Sequence, residues 1–265
     1  MPEYSFIDSH CHFDFPAFSD TQSELLKAHQ AGVKRIVIPA VGLSNWPLIQ
    51  ALSQQYPALY YSLGFHPYFI DQHPEDASQQ LEAALRQRDS KCVAIGECGL
   101  DFMLNQERLT QEMIDKQYEL LDCQLQLATQ YQLPVIIHAR KAHDKVLARL
   151  KRYRLKKGGV IHAFSGSKQQ AMEYVKLGFY IGVGGVITYS RAKKTRQAIA
   201  QLPLESLLLE TDAPDMPVSG FQGQPNHPER LIEIFNALCS LRKENKAVIE
   251  RQIWKNNGVL FGWNL

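Results

Sequence analysis

The feature that most constrains this chain is a repeated alternation. Short apolar runs rich in β-branched residues are separated by longer segments with helical spacing. The runs fall at residues 6–9, 35–39, 59–63, 93–96, 135–138, 159–163, 179–183 and 207–210. Between them, apolar residues three and four apart mark amphipathic helices. The plainest is 111–131, where Ile114, Tyr118, Leu121, Leu125 and Ala128 share one face and Pro134 closes the segment. Strands alternating with helices predict βα units and a parallel sheet, and near-continuous apolar runs suit strands covered on both faces.

Eight such units in 265 residues match the (β/α)8 barrel, a fold that reaches about 250 residues as one domain. The expected fold is α/β, a single TIM barrel over 1–265. A Pro- and Gly-rich loop at 215–228 leads to C-terminal helices around 228–241 and 246–261. A doubly wound open sheet competes, but the Gly-x-Gly-x-x-Gly turn it calls for is missing after the first run. No internal repeat or linker marks a second domain.

Barrels of this kind carry their chemistry at the carboxyl ends of the strands. The first run leads into His10 and His12, two residues apart and therefore on one side of an extended chain, with Cys11 turned away. Glu97 follows the fourth run, His138 ends the fifth, His162 lies at the end of the sixth, and Asp212 follows the eighth. Singly, each has a plain structural explanation: a satisfied core imidazole for His138, a cap for Asp212, a surface carboxylate or a partner of Arg140 for Glu97. Together they put four imidazoles and two carboxylates at one end of one barrel, and that points to metal. Such donors without thiolates suit Zn, Mn, Fe, Co or, with more water, Mg. Six protein donors are too many for one catalytic ion that keeps an open position, but they suit two ions sharing a carboxylate. The expectation is two divalent metal ions (Zn, Mg or Mn) with Glu97 between them, and Asp212 both holding metal and accepting a proton from water. His29, His73 and His143 fall in helices or connections.

Composition narrows the surroundings. A net charge of +2 gives no global attraction for nucleic acid or membrane, so an anionic substrate must be held locally. Five cysteines with no Cys-x-x-Cys pair fit reduced thiols better than a disulfide framework. No signal peptide or membrane-spanning run is evident, so a soluble, cytoplasmic protein without obligate protein partners is expected.

Five segments in order extend the picture: Ile7-Asp8-Ser9-His10-Cys11-His12-Phe13-Asp14, Gly96-Glu97-Cys98-Gly99-Leu100-Asp101, Ile137-His138-Ala139-Arg140, His162-Ala163-Phe164-Ser165-Gly166 and Leu209-Glu210-Thr211-Asp212-Ala213-Pro214. The sequence resembles the TatD family of metal-dependent hydrolases and deoxyribonucleases, among the amidohydrolase-like barrels. The resemblance covers essentially the whole chain. It implies that His10, His12, Glu97, His138, His162 and Asp212 are the metal ligands, and that the reaction is hydrolysis of phosphodiester bonds in DNA, single-stranded DNA included. His10, His12 and Asp212 would then serve one ion and His138 and His162 the other. Arg140 and His66 would contact a substrate phosphate, and Glu210 would orient a ligand histidine. The loop Pro225-Asn226-His227-Pro228 departs from the family's Arg-Asn-Glu-Pro, which suggests a branch apart from the type member.

Tyr68, Phe69, Phe102 and Tyr189 fall on strand-to-helix loops where a base could stack. The basic clusters at 151–157 and 191–196 read mainly as solvated helix faces. A different ester or amide, such as an aminoacyl ester, is the competing substrate on the same scaffold. A non-catalytic metal-binding scaffold is the further rival, and it predicts a broken donor set that the sequence does not show.

Overall fold

The computed structural model describes residues 4–105 and 109–264. Eight strands form one parallel sheet in sequential order: β1 (Phe6–Asp8), β2 (Val33–Ile38), β3 (Leu59–Leu63), β4 (Cys92–Asp101), β5 (Val135–Arg140), β6 (Gly159–Ile161), β7 (Phe179–Val183) and β8 (Leu207–Leu209). The strands alternate with α1 (Thr21–Gln30), α2 (Trp46–Gln55), α3 (Ala77–Arg86), α4 (Gln111–Tyr131), α5 (His143–Tyr153), α6 (Lys168–Lys176) and α7 (Lys193–Gln201). Two further helices, α8 (Leu231–Leu241) and α9 (Lys246–Phe261), follow β8. The sheet curls into a (β/α)8 barrel. Its seam, where β8 meets β1, is stitched by Ser9 N–H to the Leu209 carbonyl (3.1 Å), Asp212 N–H to the His10 carbonyl (2.9 Å) and His12 N–H to the Ala213 carbonyl (2.8 Å).

Side chains on a strand alternate between two environments, and the core divides accordingly. Ile36, Ile38, Val135, Ile137, Ile161, Leu207 and Leu209 belong to the large cluster under the helices. The residues between them, Val37, Ile136, Val160 and Leu208, form a separate cluster with Val93 and Ala94 inside the barrel, closed off by Leu260 and Phe261 of α9. Two residues farther along the same strands, the inward positions become His138, His162 and Glu210. The apolar floor of the lumen thus passes into the polar site within one step of the pleat.

Several strand ends differ from the expectation drawn from the sequence. The fourth strand does not stop at Gly96 but runs on to Asp101, so Glu97 lies within it. β5 likewise extends to Arg140, and the two pair through Asp101 and Arg140 after an irregularity between Ile95 and Cys98. Conversely β1 ends at Asp8, ahead of His10 and His12, although Cys11 N–H to the Val37 carbonyl (3.1 Å) and the seam bonds keep that stretch extended. All five cysteines are unpaired. No helix among the described residues is long and apolar enough to cross a membrane.

α9 is tied to the base of the last strand by Asn256, a buried residue whose amide donates to the carbonyls of Leu204 (2.9 Å) and Leu207 (2.8 Å). Replacing Asn256 by Ala leaves two buried acceptors without their donor, and is expected to lower the unfolding free energy by about 2 kcal/mol. Equilibrium unfolding in guanidinium chloride checks this. A loss under about 0.5 kcal/mol would mean that water satisfies both carbonyls.

Candidate metal centre

At the carboxyl end of the barrel lies a cleft of about 880 Å³ with Glu97, His66, His138, His162, His12 and Asp212 in its wall. Three groups of side chains bring one donor atom each within 4.8 Å of the others: His10, His12 and Asp212; His10, Glu97 and His162; and His66, Glu97 and His138. Glu97 is the hub, with His138 Nδ1 and His66 Nε2 at 2.8 and 3.0 Å from its Oε1 and His10 Nε2 at 3.1 Å from its Oε2. Asp212 Oδ1 stands 3.5 Å from His10 Nε2 and 3.8 Å from His12 Nε2. The rings of His10 and His162 stack at 3.7 Å.

Local sequence explains how these groups are held. Gly96 has φ +143°, and a Cβ there would strike the carbonyl oxygen of Ile136, so only glycine lets β4 close on β5 beside Glu97. Glu210 fills the space above Gly182, where a Cβ would collide with its carboxylate. From there it accepts a hydrogen bond from Ala163 N–H and lies 3.2 Å from His162 Nδ1. Asp212 sits in the left-handed region at φ +55°, a conformation that clusters at functional sites. Buried Asn226 fixes the loop beyond it, donating to the carbonyls of Thr211 (2.9 Å) and Met216 (3.3 Å). His227, at the position where the loop departs from the family pattern, is 2.8 Å from buried Glu24 of α1 through its Nδ1.

Burial should drive these acids neutral, but their neighbours decide otherwise. Burial raises Glu97, yet the imidazoles of His66, His162 and His10 outweigh it and hold the carboxyl well below its usual range. Burial lowers His162, but the carboxylates of Glu97, Asp212 and Glu210 push it up to about 10. Asp212 is raised by burial to about 6, against the opposing pull of His162 and His10. Burial lowers His66 to about 4 and takes His12 well below its ordinary value. The acids therefore draw positive charge into a place that desolvates it.

A divalent cation fits that demand. His10 Nε2 and Glu97 Oε2 face each other, both buried and both without a hydrogen bond. When His10 is neutral with a bare Nε2, two such acceptors are costly unless a positive charge lies between them.

All nine side chains singled out from the sequence reach this end of the barrel. His66 is nearer the hub than a purely substrate-facing role requires: its Nδ1 accepts from Tyr68 N–H (2.9 Å), leaving Nε2 to meet Glu97. Glu210 lies beside His162, while Arg140 is half-exposed in the cleft with its guanidinium 3.8 Å from Asp101. Asp101 was not anticipated. It is fully buried, its Oδ2 stands 3.0 Å from His138 Nε2, and its Oδ1 accepts from Met103 N–H (2.8 Å). The signal was present, because Asp101 shares the alternation of Glu97 once the strand is known to continue. His143 was also missed. It opens α5 and lines the cleft with Nδ1 3.2 Å from the buried Tyr174 hydroxyl.

A model of the TatD related DNase family matches residues 7–262. The chain is 51% identical over 257 residues to an uncharacterized metal-dependent hydrolase of Escherichia coli K12, YjjV, covering 97% of both proteins. The crystal structure of YjjV shares the fold with a TM-score of 0.93 at 50% identity, over 97% of this chain and 98% of that one. A 3'-5' ssDNA/RNA exonuclease of Klebsiella pneumoniae, TatD, is 32% identical over 252 residues, covering 92% of this chain and 93% of the relative.

The raised pKa of His162 sets the sign of the proton linkage. At pH 7.5 its imidazole carries a proton that must leave before the nitrogen can donate to a metal. Binding of Zn or Mn is expected to release about one proton or more per chain, and to weaken as pH falls through 6, where Asp212 also protonates. Calorimetry in buffers of different ionisation enthalpy reads this directly, and heats independent of buffer would contradict it. Separately, Gly182→Ala should push Glu210 off His162 and weaken metal binding about tenfold while the chain stays folded, as near-UV circular dichroism would record.

Proposed function

The chain belongs to the TatD family of metal-dependent hydrolases, and from that membership we propose that it is a deoxyribonuclease, cutting phosphodiester bonds in single-stranded DNA with two divalent ions that share Glu97. The observation that carries this is the meeting in one cleft of a donor cluster around a buried carboxylate with a half-exposed arginine whose ion pair with Asp101, at 3.8 Å, leaves most of its donors open. The nuclease name of the Klebsiella relative supports the choice of bond.

His10, His12 and Asp212 would hold one ion, and His138 and His162 a second, with Glu97 able to serve both. Bound there, divalent ions lower the pKa of water and offset the charge that gathers on phosphate during attack. The residues of the chain do the rest. Asp212, raised to about 6, is ionised at neutral pH yet basic enough to take the proton of the attacking water. Arg140, half-exposed and 3.8 Å from Asp101, has donors left for a non-bridging phosphate oxygen, which its planar fork suits. His66 keeps Glu97 in place through Nε2 and lines the cleft with both ring nitrogens already engaged, so it shapes the site rather than gripping the phosphate expected of it from the sequence. Glu210 fixes the ring of His162 from behind, and Asp101 fixes that of His138.

The purified protein should hydrolyse bis(p-nitrophenyl) phosphate and a single-stranded oligonucleotide in the presence of Zn, Mn or Mg, and lose both activities on chelation. Glu97→Ala is expected to lower kcat about 1000-fold or more. Turnover of an aminoacyl ester alone would overturn the nuclease assignment, and full activity of Glu97→Ala would exclude the shared carboxylate.

A further inference from the structure

The cleft has two unlike walls. Around the barrel, β8 and β1 to β4 form one arc and β5, β6 and β7 the other. The first arc lends the cleft Tyr68, Phe69, Met103 and Met216, of which Tyr68, Met103 and Met216 expose large apolar surfaces. The second lends it Arg140 and Lys141 from the end of β5 and Lys194 from the first turn of α7.

Some cations of this nearly neutral chain are paired, Lys27 with Glu24, Lys151 with Glu173 and Arg149 with Asp122, but none of these lines the cleft. Lys141 and Lys194 are exposed, and neither has a carboxylate partner among the described residues. Lys141 also occupies the left-handed region at φ +51°, where a glycine would be easier to accommodate. Burial holds the His143 imidazole below its usual range, and the charge of nearby Lys194 adds to that against Asp144. Two unpaired ammonium groups, one kept in a disfavoured backbone conformation, thus share the cleft with Arg140.

We propose that Lys141 and Lys194 form a second anion subsite beside Arg140, which takes the phosphate adjacent to the one being cut and directs the intervening base toward the wall of Tyr68 and Phe69. This rests on the nuclease assignment above and adds that the enzyme reads at least two consecutive phosphates. Ammonium groups suit such a place, because a flanking phosphate needs charge compensation rather than the two-point grip of a guanidinium. A neutral ester would gain nothing from it.

The test compares wild type, Lys141→Gly and Lys194→Gln with bound metal on three substrates. These are bis(p-nitrophenyl) phosphate with one phosphate, a short single-stranded oligonucleotide, and the same oligonucleotide with one uncharged methylphosphonate next to the cleaved linkage. Each variant should lose about five- to tenfold in kcat/KM on the natural oligonucleotide, stay within about twofold of wild type on the single-phosphate diester, and match wild type on the methylphosphonate. The dependence of log kcat/KM on log salt should become shallower by about 0.7 per lysine removed. Lys141→Gly should melt no lower than wild type, since glycine suits the backbone there, and this separates lost binding from lost structure. Equal losses on the single-phosphate diester, or no loss on the oligonucleotide, would overturn the subsite. If wild type cleaves neither diester, the nuclease assignment fails and takes the subsite with it. If it cleaves both and the variants behave as wild type, the subsite alone fails.

Discussion

Everything at the working end of this barrel depends on which way alternate residues point. Val37, Ile136, Val160 and Leu208 fill the lumen, and the pleat then delivers His138, His162 and Glu210 to the same interior one step higher. A slip of one residue in any of these strands would bury Ile137 or Leu209 in the site and send a histidine under the helices. The packed apolar floor is what forbids that slip. Fold stability and site geometry are therefore two readings of one register.

The second constraint is electrostatic. Glu97 and Glu210 are buried, and the charged groups closest to them are imidazoles rather than lysine or arginine. Imidazoles can carry a proton or give up a lone pair, so the same cage can balance the acids with protons or with a metal. Lysines in these positions could offer only the first. The permanent cations are kept to the rim, where Arg140 is half in solvent.

The strand count, the long helix over 111–131 and the tail helices were legible because each rests on local periodicity, and that survives in the fold. The clustering of the candidate residues was legible because the fold brings strand ends together. What stayed hidden was non-local. Nothing near Gly96 announces that β4 continues to Asp101, since that extension exists only because β5 extends alongside it. The contact of His66 with Glu97 depends on a turn in which Nδ1 is taken by the Tyr68 amide, and spacing does not reveal which nitrogen is left. Asn226 was noticed as a retained residue, but its task of pinning the Asp212 loop needs the loop's path.

The seam of the barrel runs through the site. His10 and Asp212 are neighbours only because β8 closes on β1 through the Asp212 amide and the His10 carbonyl. During synthesis the first histidines emerge long before the last carboxylate, and the lumen has no finished metal cage until the final strand has docked. A chain truncated before β8, or one whose last strand has frayed, lacks the aspartate that completes the constellation. If the proposed ligand set holds, closure of the polypeptide and competence for hydrolysis are a single event, and an unfinished barrel would be inert by its own topology.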